Sequence, residues 1–235
     1  MLPILYQDAH LVAIDKPAGL LVHRTGLDAG ETRFAVQLLR DQLGQPVWPL
    51  HRLDKGTSGV LLFALDADTA STGSSYFQST RTVAKCYLAM VRGWPAEVGS
   101  IDHPLTRMAD DARPSTRAAT AQEAVTRFQR MATYALPLPY GPFGQTRCAM
   151  LALSPETGRR HQLRRHCKHI AHPILGDATH GKGPLNRAVA SWLGIQRLWL
   201  HAHTLSLPHP WRSERLEIEA PVGPEWQPWA ATRAG

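Results

Sequence analysis

A short polar segment, His51-Arg52-Leu53-Asp54-Lys55-Gly56-Thr57-Ser58-Gly59, combines groups that can do chemistry with residues that favour a turn. It runs directly into the apolar stretch 60–65, which is typical of a buried strand. A carboxylate on such a rigid edge can attack a sugar carbon or an electron-poor ring, provided that a cation keeps Asp54 ionised and aimed. The alternative is an Arg52–Asp54 pair that only stabilises a turn.

A second polar segment follows Glu156, and the next acidic residue is Asp177. Five cations lie between them: Arg159, Arg160, Arg164, Arg165 and Lys168. We expect this group to contact phosphates, which would set affinity and register rather than the choice of site. The alternative is a helix face that is merely solvated.

Four histidines share this second segment: His161, His166, His169 and His172. Such a cluster could suggest a metal centre. Their spacing matches no common zinc pattern, so we predict no metal there.

Patterns of strand and helix alternate along the chain and would position both segments. Apolar runs at 4–6 and 11–14 flank a turn, which predicts a hairpin that leads into Lys16-Pro17-Ala18-Gly19. Further strands are predicted over 60–65, 83–92, 148–153, 198–207 and 216–220. Helices are predicted over 32–43, 66–78 and 161–170, and loops over 107–120 and 136–145. In the last helix, Leu163, Cys167 and Ile170 would form an inward stripe opposite a basic face.

Composition limits the class of protein and its partners. The 235 residues have an ordinary hydrophobic content of 43%, and a net charge of +7 favours a polyanionic partner, although a basic protein without such a partner remains the alternative. The three cysteines form no C-x-x-C pair, which fits the reducing cytoplasm. The N-terminal residues lack the layout of a secretory signal, and no apolar run is long enough to span a membrane.

The segment at 51–59 resembles the catalytic motif HRLD-x-x-TSG of the RluA family of pseudouridine synthases, with Asp54 at the position of the family's aspartate. Further segments match in the family's order: Lys16-Pro17-Ala18-Gly19, Lys85-Cys86-Tyr87, Thr157-Gly158-Arg159-Arg160-His161-Gln162-Leu163-Arg164 and Arg197-Leu198-Trp199-Leu200-His201-Ala202. The similarity extends from residue 4 to about residue 208. The opening LxILYQDxxLVAxxKP and the stretch HQLRRH are most similar to members that modify the uridine at tRNA position 65.

This resemblance implies an α+β fold in which residues 1–235 form a single pseudouridine synthase catalytic domain. We expect a mixed, mostly antiparallel sheet with flanking helices and a central RNA cleft. The catalytic segment begins by residue 4, so we expect no S4 RNA-binding module before it.

The resemblance also implies a role for each matched residue. Asp54 would attack the target uridine without any cofactor, through the sugar C1′, a glycal or the base C6. Arg164 would be the ionic partner of Asp54, and Tyr87 would stack on the uracil and help remove its proton. Arg52 would fill the space left by the flipped nucleotide. Leu200 would lie near the uracil, although a buried strand leucine is nearly as well supported.

Two alternatives remain open. The same chemistry could act on a stem-loop of large-subunit rRNA, or the protein could be a non-catalytic RNA-binding factor. The intact set of Asp54, Tyr87 and Arg164 argues against the second. The expected partner is RNA, most of all tRNA, and the expected state is a cytoplasmic monomer.

Overall fold

The computed structural model describes residues 1–24, 30–78, 82–108, 120–140 and 142–234. In chain order the elements are β1 (Ile4–Gln7), β2 (Leu11–Lys16), α1 (Ala35–Leu43), β3 (Trp48–Pro49), β4 (Ser58–Ala64), α2 (Ala67–Gln78), β5 (Ala84–Arg92), β6 (Val98–Asp102), β7 (Leu105–Thr106), β8 (Ala121–Gln122), β9 (Val125–Leu136), β10 (Thr146–Pro155), α3 (Gln162–His169), α4 (Gly183–Leu193), β11 (Leu200–Pro208), β12 (Arg215–Glu219), a 3-10 helix (Pro224–Thr232) and β13 (Arg233–Ala234). The fold is α+β and mostly antiparallel, as predicted.

The chain divides into two compact units. Unit 1 comprises Met1–Lys85, Pro104–Glu123 and Ala202–Ala220, and unit 2 comprises Cys86–His103, Ala124–His201 and Pro221–Gly235. Each unit draws on three separate segments of the sequence. Neither is therefore a contiguous half of the chain, and a single catalytic domain stays a prediction.

Unit 1 contains the antiparallel strands β1, β2 and β4, with β3 on β4 and β12 on β11. Every residue of β4 is buried, as expected for an apolar strand that is covered on both faces. Helix α1 ends at Gly44, whose left-handed φ of 70° suits a glycine C-cap. The unit 1 core gathers buried residues from β2, β4, β11 and β12: Leu11, Ala13, Val60, Leu62, Leu205, Leu207, Leu216 and Ile218.

Unit 2 is built around β10, which pairs with β5 on one side and with β9 on the other. Strands β6 and β13 also pair with β9. One core cluster packs α3 against β5 and β10 through Leu163, Cys167, Ala89 and Leu151. A second cluster has three buried indole rings, Trp199, Trp226 and Trp229, in edge-to-face contact.

The predicted hairpin and the predicted strands and helices around the two polar segments are confirmed, with small shifts at their ends. Helix α1 begins only at Ala35, because Phe34 is extended and forms a bridge with Leu21. Helix α3 begins at Gln162, because His161 adopts a left-handed φ of 54°. Strand β9, helix α4 and the 3-10 helix were not predicted from the sequence. Most of the predicted loop at 107–120 lies outside the described residues.

None of the helices formed by the described residues has the length and apolar character needed to cross a bilayer.

Candidate active site

Asp54 lies in unit 1, in a tight turn that precedes β4. The N–H of Thr57 donates to the carbonyl oxygen of Asp54 at 3.0 Å, which closes the turn. Leu53, Thr57 and Ser58 around it are buried, whereas the carboxylate-bearing residue is half-exposed. The turn thus holds an accessible aspartate on a backbone that is packed on both sides.

Gly59 explains how this turn enters the strand. Its φ of +106° is a conformation that side-chain-bearing residues rarely adopt, and a Cβ there would overlap the carbonyl of Ala202 in the same unit. Gly59 is therefore required for two reasons. The Ala202 backbone leaves no space for a side chain, and the φ angle is one that only glycine adopts readily.

Lys16 connects the first matched segment to the catalytic turn. Its side chain is fully buried, and Nζ donates to the carbonyl oxygens of Pro17, Leu20 and Lys55 at 2.9, 2.7 and 3.2 Å. The N–H of Gly19 donates to the same Lys55 carbonyl at 2.8 Å. The three hydrogen bonds offset the cost of burying the Lys16 charge, and the bond to the Lys55 carbonyl fixes the backbone next to Asp54.

His51 anchors the other end of the turn. The Leu62 N–H donates to its Nε2 at 3.2 Å, and its ring stacks on Phe77 with centroids 4.8 Å apart. Burial, together with the nearby Lys85 charge, lowers the pKa of His51 to about 3. His51 is therefore neutral at physiological pH and acts as a hydrogen-bond acceptor, not as an acid or a base.

Arg164 lies in unit 2 on α3 and is buried, with only 10% of its side chain exposed. Its Nε and Nη2 donate to the two carboxylate oxygens of Asp177 at 2.8 and 2.7 Å, which is a bidentate pair. Burial raises the pKa of Asp177, but hydrogen bonds from Arg164 and from the His180 and Thr179 N–H groups outweigh it, so the pKa lies below its usual range. The reading of Arg164 as a merely solvated arginine is wrong.

Asp177 was not predicted from the sequence as a site residue. Its position indicates a role, because it is the first acidic residue after Glu156 and follows a stretch with five cations. A buried arginine within that stretch needs a carboxylate from outside it.

Gln162 organises the segment that leads into α3. Its Oε1 accepts hydrogen bonds from the Thr157 hydroxyl and the Arg159 N–H at 2.7 and 3.0 Å. Its Nε2 donates to the Val125 carbonyl and the Thr126 hydroxyl, both at 3.0 Å. The buried Gln162 amide therefore connects the loop at 157–159 to β9. These bonds fix the start of α3, two residues before Arg164.

Tyr87 and Leu200 meet at one core cluster of unit 2. Leu200 is buried with 3% exposure, and Tyr87 is half-buried and packs against the cluster that includes Leu200. The Tyr87 side chain therefore has apolar neighbours where it packs against this cluster.

The remaining cations are more exposed than Arg164. Arg159, Arg160 and Arg165 are half-buried, whereas Lys168 and Arg52 are exposed. Arg165 and Lys168 lie on α3 with at least part of their surface exposed, and Arg159 and Arg160 precede the helix. The placement of Arg164 on the basic face is wrong, because its side chain is buried against Asp177.

Each of the four histidines of this segment has an identifiable partner. The ring of His166 is buried between the Thr126 hydroxyl and the His103 carbonyl. His172 Nδ1 lies 2.7 Å from the Arg92 carbonyl oxygen, and the His169 ring stacks on that of His103. His161 Nδ1 lies 3.1 Å from a ring nitrogen of His180. These contacts give the histidines structural roles within unit 2.

Comparison with known proteins shows the family to which the chain is related. The family model described as RNA pseudouridylate synthase matches residues 10–169. A tRNA pseudouridine synthase C of Haemophilus ducreyi is 48% identical over 96% of this chain and 93% of its own length. The enzyme of the same name from Vibrio cholerae is 47% identical over 97% and 93%.

Solved structures show the same fold. Human RNA Pseudouridylate Synthase Domain Containing 1 superimposes with a TM-score of 0.73 at 26% identity, over 94% of this chain and 84% of that one. Human RNA Pseudouridylate Synthase Domain Containing 4 gives 0.72 at 28% identity, over 97% and 93%. The fold and the family match together define the class as a pseudouridine synthase. This chain belongs to the RNA pseudouridylate synthase family, in the RluA group that its HRLD segment indicated.

Proposed function

We propose that this protein isomerises uridine to pseudouridine in tRNA, at position 65, with Asp54 as the catalytic carboxylate. The observation that carries the proposal is the Asp54 turn, which Lys16, His51 and Gly59 fix on a packed backbone. Relatives that are named tRNA pseudouridine synthase C and match over nearly the whole chain support tRNA as the substrate.

The reaction rearranges bonds without net loss of atoms. Asp54 attacks the uridine, the bond between N1 and C1′ breaks, and the freed uracil turns so that C5 bonds to C1′. Any bond between Asp54 and the substrate breaks again, which returns the carboxylate to its starting state. The proton on C5 is then lost and N1 gains one. Attack at C1′, a glycal route and attack at C6 all need the same carboxylate, so the choice among them stays open.

We propose supporting roles for the other matched residues. Arg164, whose guanidinium is already fixed by Asp177, would hold Asp54 in its charged form, and an arginine has enough donors for a second carboxylate. Tyr87 would stack on the uracil beside Leu200, and Arg52 would fill the gap that the flipped nucleotide leaves.

The basic residues around α3 would bind the RNA backbone. Arg159, Arg160, Arg165 and Lys168 keep exposed or half-exposed positions from which phosphates are reachable. We further propose that residues 1–235 work as one catalytic domain and as a monomer in the cytoplasm. Free thiols at Cys86, Cys148 and Cys167 support the reducing compartment.

Asp54→Asn tests the proposal directly, because it keeps size and hydrogen bonding while it removes the negative charge. Incubation with unmodified tRNA should yield no detectable pseudouridine, while tRNA binding should stay within about tenfold of wild type, or about 1.4 kcal/mol. Asp41→Asn, on the exposed surface of α1, is the matched control and should be fully active. Folded Asp54→Asn protein that still forms pseudouridine, after a check for deamidation, would refute Asp54 as the catalytic group.

The substrate is tested separately. Pseudouridines mapped in total RNA from cells with and without this gene should differ at tRNA position 65. Loss of a pseudouridine from large-subunit rRNA instead would favour the rRNA alternative.

A further inference from the structure

A pocket of about 470 Å³ opens on unit 2 where β5 ends and β10 begins. Its lining includes Arg92, Tyr140, Phe143 and Arg147. Nearly all of its surface is apolar, yet two arginines stand in its wall. None of the proposed catalytic residues belongs to this lining.

Two exposed aromatic rings lie in or beside this pocket: Phe143 is part of its lining, and Trp94 contacts the lining residue Arg147. Phe143 is 69% exposed and Trp94 is 38% exposed, although both are large apolar side chains. The guanidinium of Arg147 lies over the Trp94 ring, 4.5 Å from its centroid. One exposed apolar residue is ordinary, but two rings next to an apolar pocket are typical of a binding surface.

The charge and position of the pocket indicate its occupant. No acidic side chain is among the described residues that line it, and the guanidiniums of Arg92 and Arg147 place positive charge beside its apolar wall. The guanidinium of Arg92 donates to the carbonyl of Ala171 at 3.2 Å, just beyond the end of α3. The pocket therefore lies close to the helix that carries Arg165 and Lys168, two of the proposed phosphate-binding cations.

We propose that this pocket, defined by Arg92, Tyr140, Phe143 and Arg147, binds one unpaired nucleotide of the tRNA, outside the target uridine. The base stacks on the Phe143 ring, because aromatic faces accept any base, and Arg147 or Arg92 meets the adjoining phosphate. The inference rests on the proposed tRNA substrate and adds a second point of contact, which would align the tRNA before the target uridine is flipped.

The test compares Phe143→Ala and Arg147→Ala with two control variants. Met131→Ala removes an apolar side chain from a residue that is 49% exposed on β9, and Arg40→Ala removes an exposed arginine from α1. Phe143→Ala should weaken binding of full-length unmodified tRNA by about tenfold, while kcat at saturating tRNA stays unchanged. Both controls should bind within twofold of wild type. Ultraviolet crosslinking of wild-type protein to the tRNA should yield a nucleotide attached to the peptide that contains Phe143.

Wild-type affinity in both Phe143→Ala and Arg147→Ala, with no crosslink at Phe143, would overturn the proposal. Altered sedimentation of Phe143→Ala with unchanged tRNA affinity would also overturn it, because the patch would then bind a second copy of the chain. Binding and crosslinking are repeated with the Asp54→Asn protein, since they need no turnover. Absence of pseudouridine formation by wild type would refute the proposed function, whereas unchanged affinity in the pocket variants refutes only the pocket.

Discussion

Replacing Asp177 with asparagine should lower the free energy of unfolding by about 3 kcal/mol, because it breaks a buried ion pair and leaves Arg164 without its carboxylate. The Asp177 side chain is fully buried, and both of its oxygens accept hydrogen bonds. One oxygen receives Arg164 Nε, and the other receives Arg164 Nη2 and the N–H groups of Thr179 and His180. Whichever way an asparagine amide turns, its NH₂ group faces a donor.

The assay is thermal or urea unfolding of Asp177→Asn beside Asp41→Asn. For a protein of this size, about 3 kcal/mol corresponds to a fall in melting temperature of roughly 6–12 °C. Asp41 pairs with Arg40, but 64% of its side chain is exposed, so the same substitution there should change stability by less than about 0.5 kcal/mol. Equal melting temperatures for the two variants would refute the structural importance of the buried pair.

The dependence on pH follows from the lowered pKa of Asp177. An unfolded aspartate titrates near 3.9, and in the folded protein the pKa lies lower. The stabilisation by the pair is therefore complete above about pH 5, about one unit above the unfolded pKa, and is lost as the pH falls through the folded pKa. The difference between wild type and Asp177→Asn should stay constant from neutral pH to about pH 5 and narrow in more acidic buffers.

Three further outcomes are expected. Binding of tRNA should weaken steeply with salt, and the triple change of Arg159, Arg160 and Arg165 to alanine should reduce the slope of log K against log salt; an unchanged slope would place the RNA elsewhere. Gly59→Ala should destabilise the protein by 1 kcal/mol or more, on the order of a strained left-handed residue plus an overlap with Ala202, and a wild-type unfolding midpoint would contradict this. Activity should survive exhaustive dialysis against EDTA, whereas loss that zinc restores would revive a metal site.

Most of the fold around Asp54 was accessible from sequence, because its strands are unbroken apolar runs bounded by turn residues. Strand β4 and helix α2 lie within two residues of their predicted ends. Helix α4 was missed although Leu185 and Val189 have helical spacing, since Gly183 and Pro184 at its start also read as turn residues. Strand β9 was missed because its apolar residues Val125, Phe128 and Met131 recur at every third position, which is not the alternation that indicates a strand.

The candidate site was predictable in its residue types but not in its supporting contacts. Asp54 and Arg164 follow from matched segments, whereas the pairing of Arg164 with Asp177 depends on a fold that brings together residues 13 positions apart. Lys16 was noticed only as part of a matched segment. Its burial and its bonds to three carbonyls arise from packing that no local pattern encodes.

The three-segment composition of unit 1 has a consequence for the nascent chain. Its core packs Leu11 and Val60 against Leu205 and Ile218. The ribosome therefore synthesises most of the protein after Leu11 and before Ile218. At a synthesis rate of roughly 5–20 residues per second, β2 and β4 emerge on the order of ten seconds or more before β11 and β12, against which they pack. During that interval the apolar faces of β2 and β4 lack part of their cover, so chaperone binding to the emerging chain should concentrate there until β11 and β12 leave the ribosome.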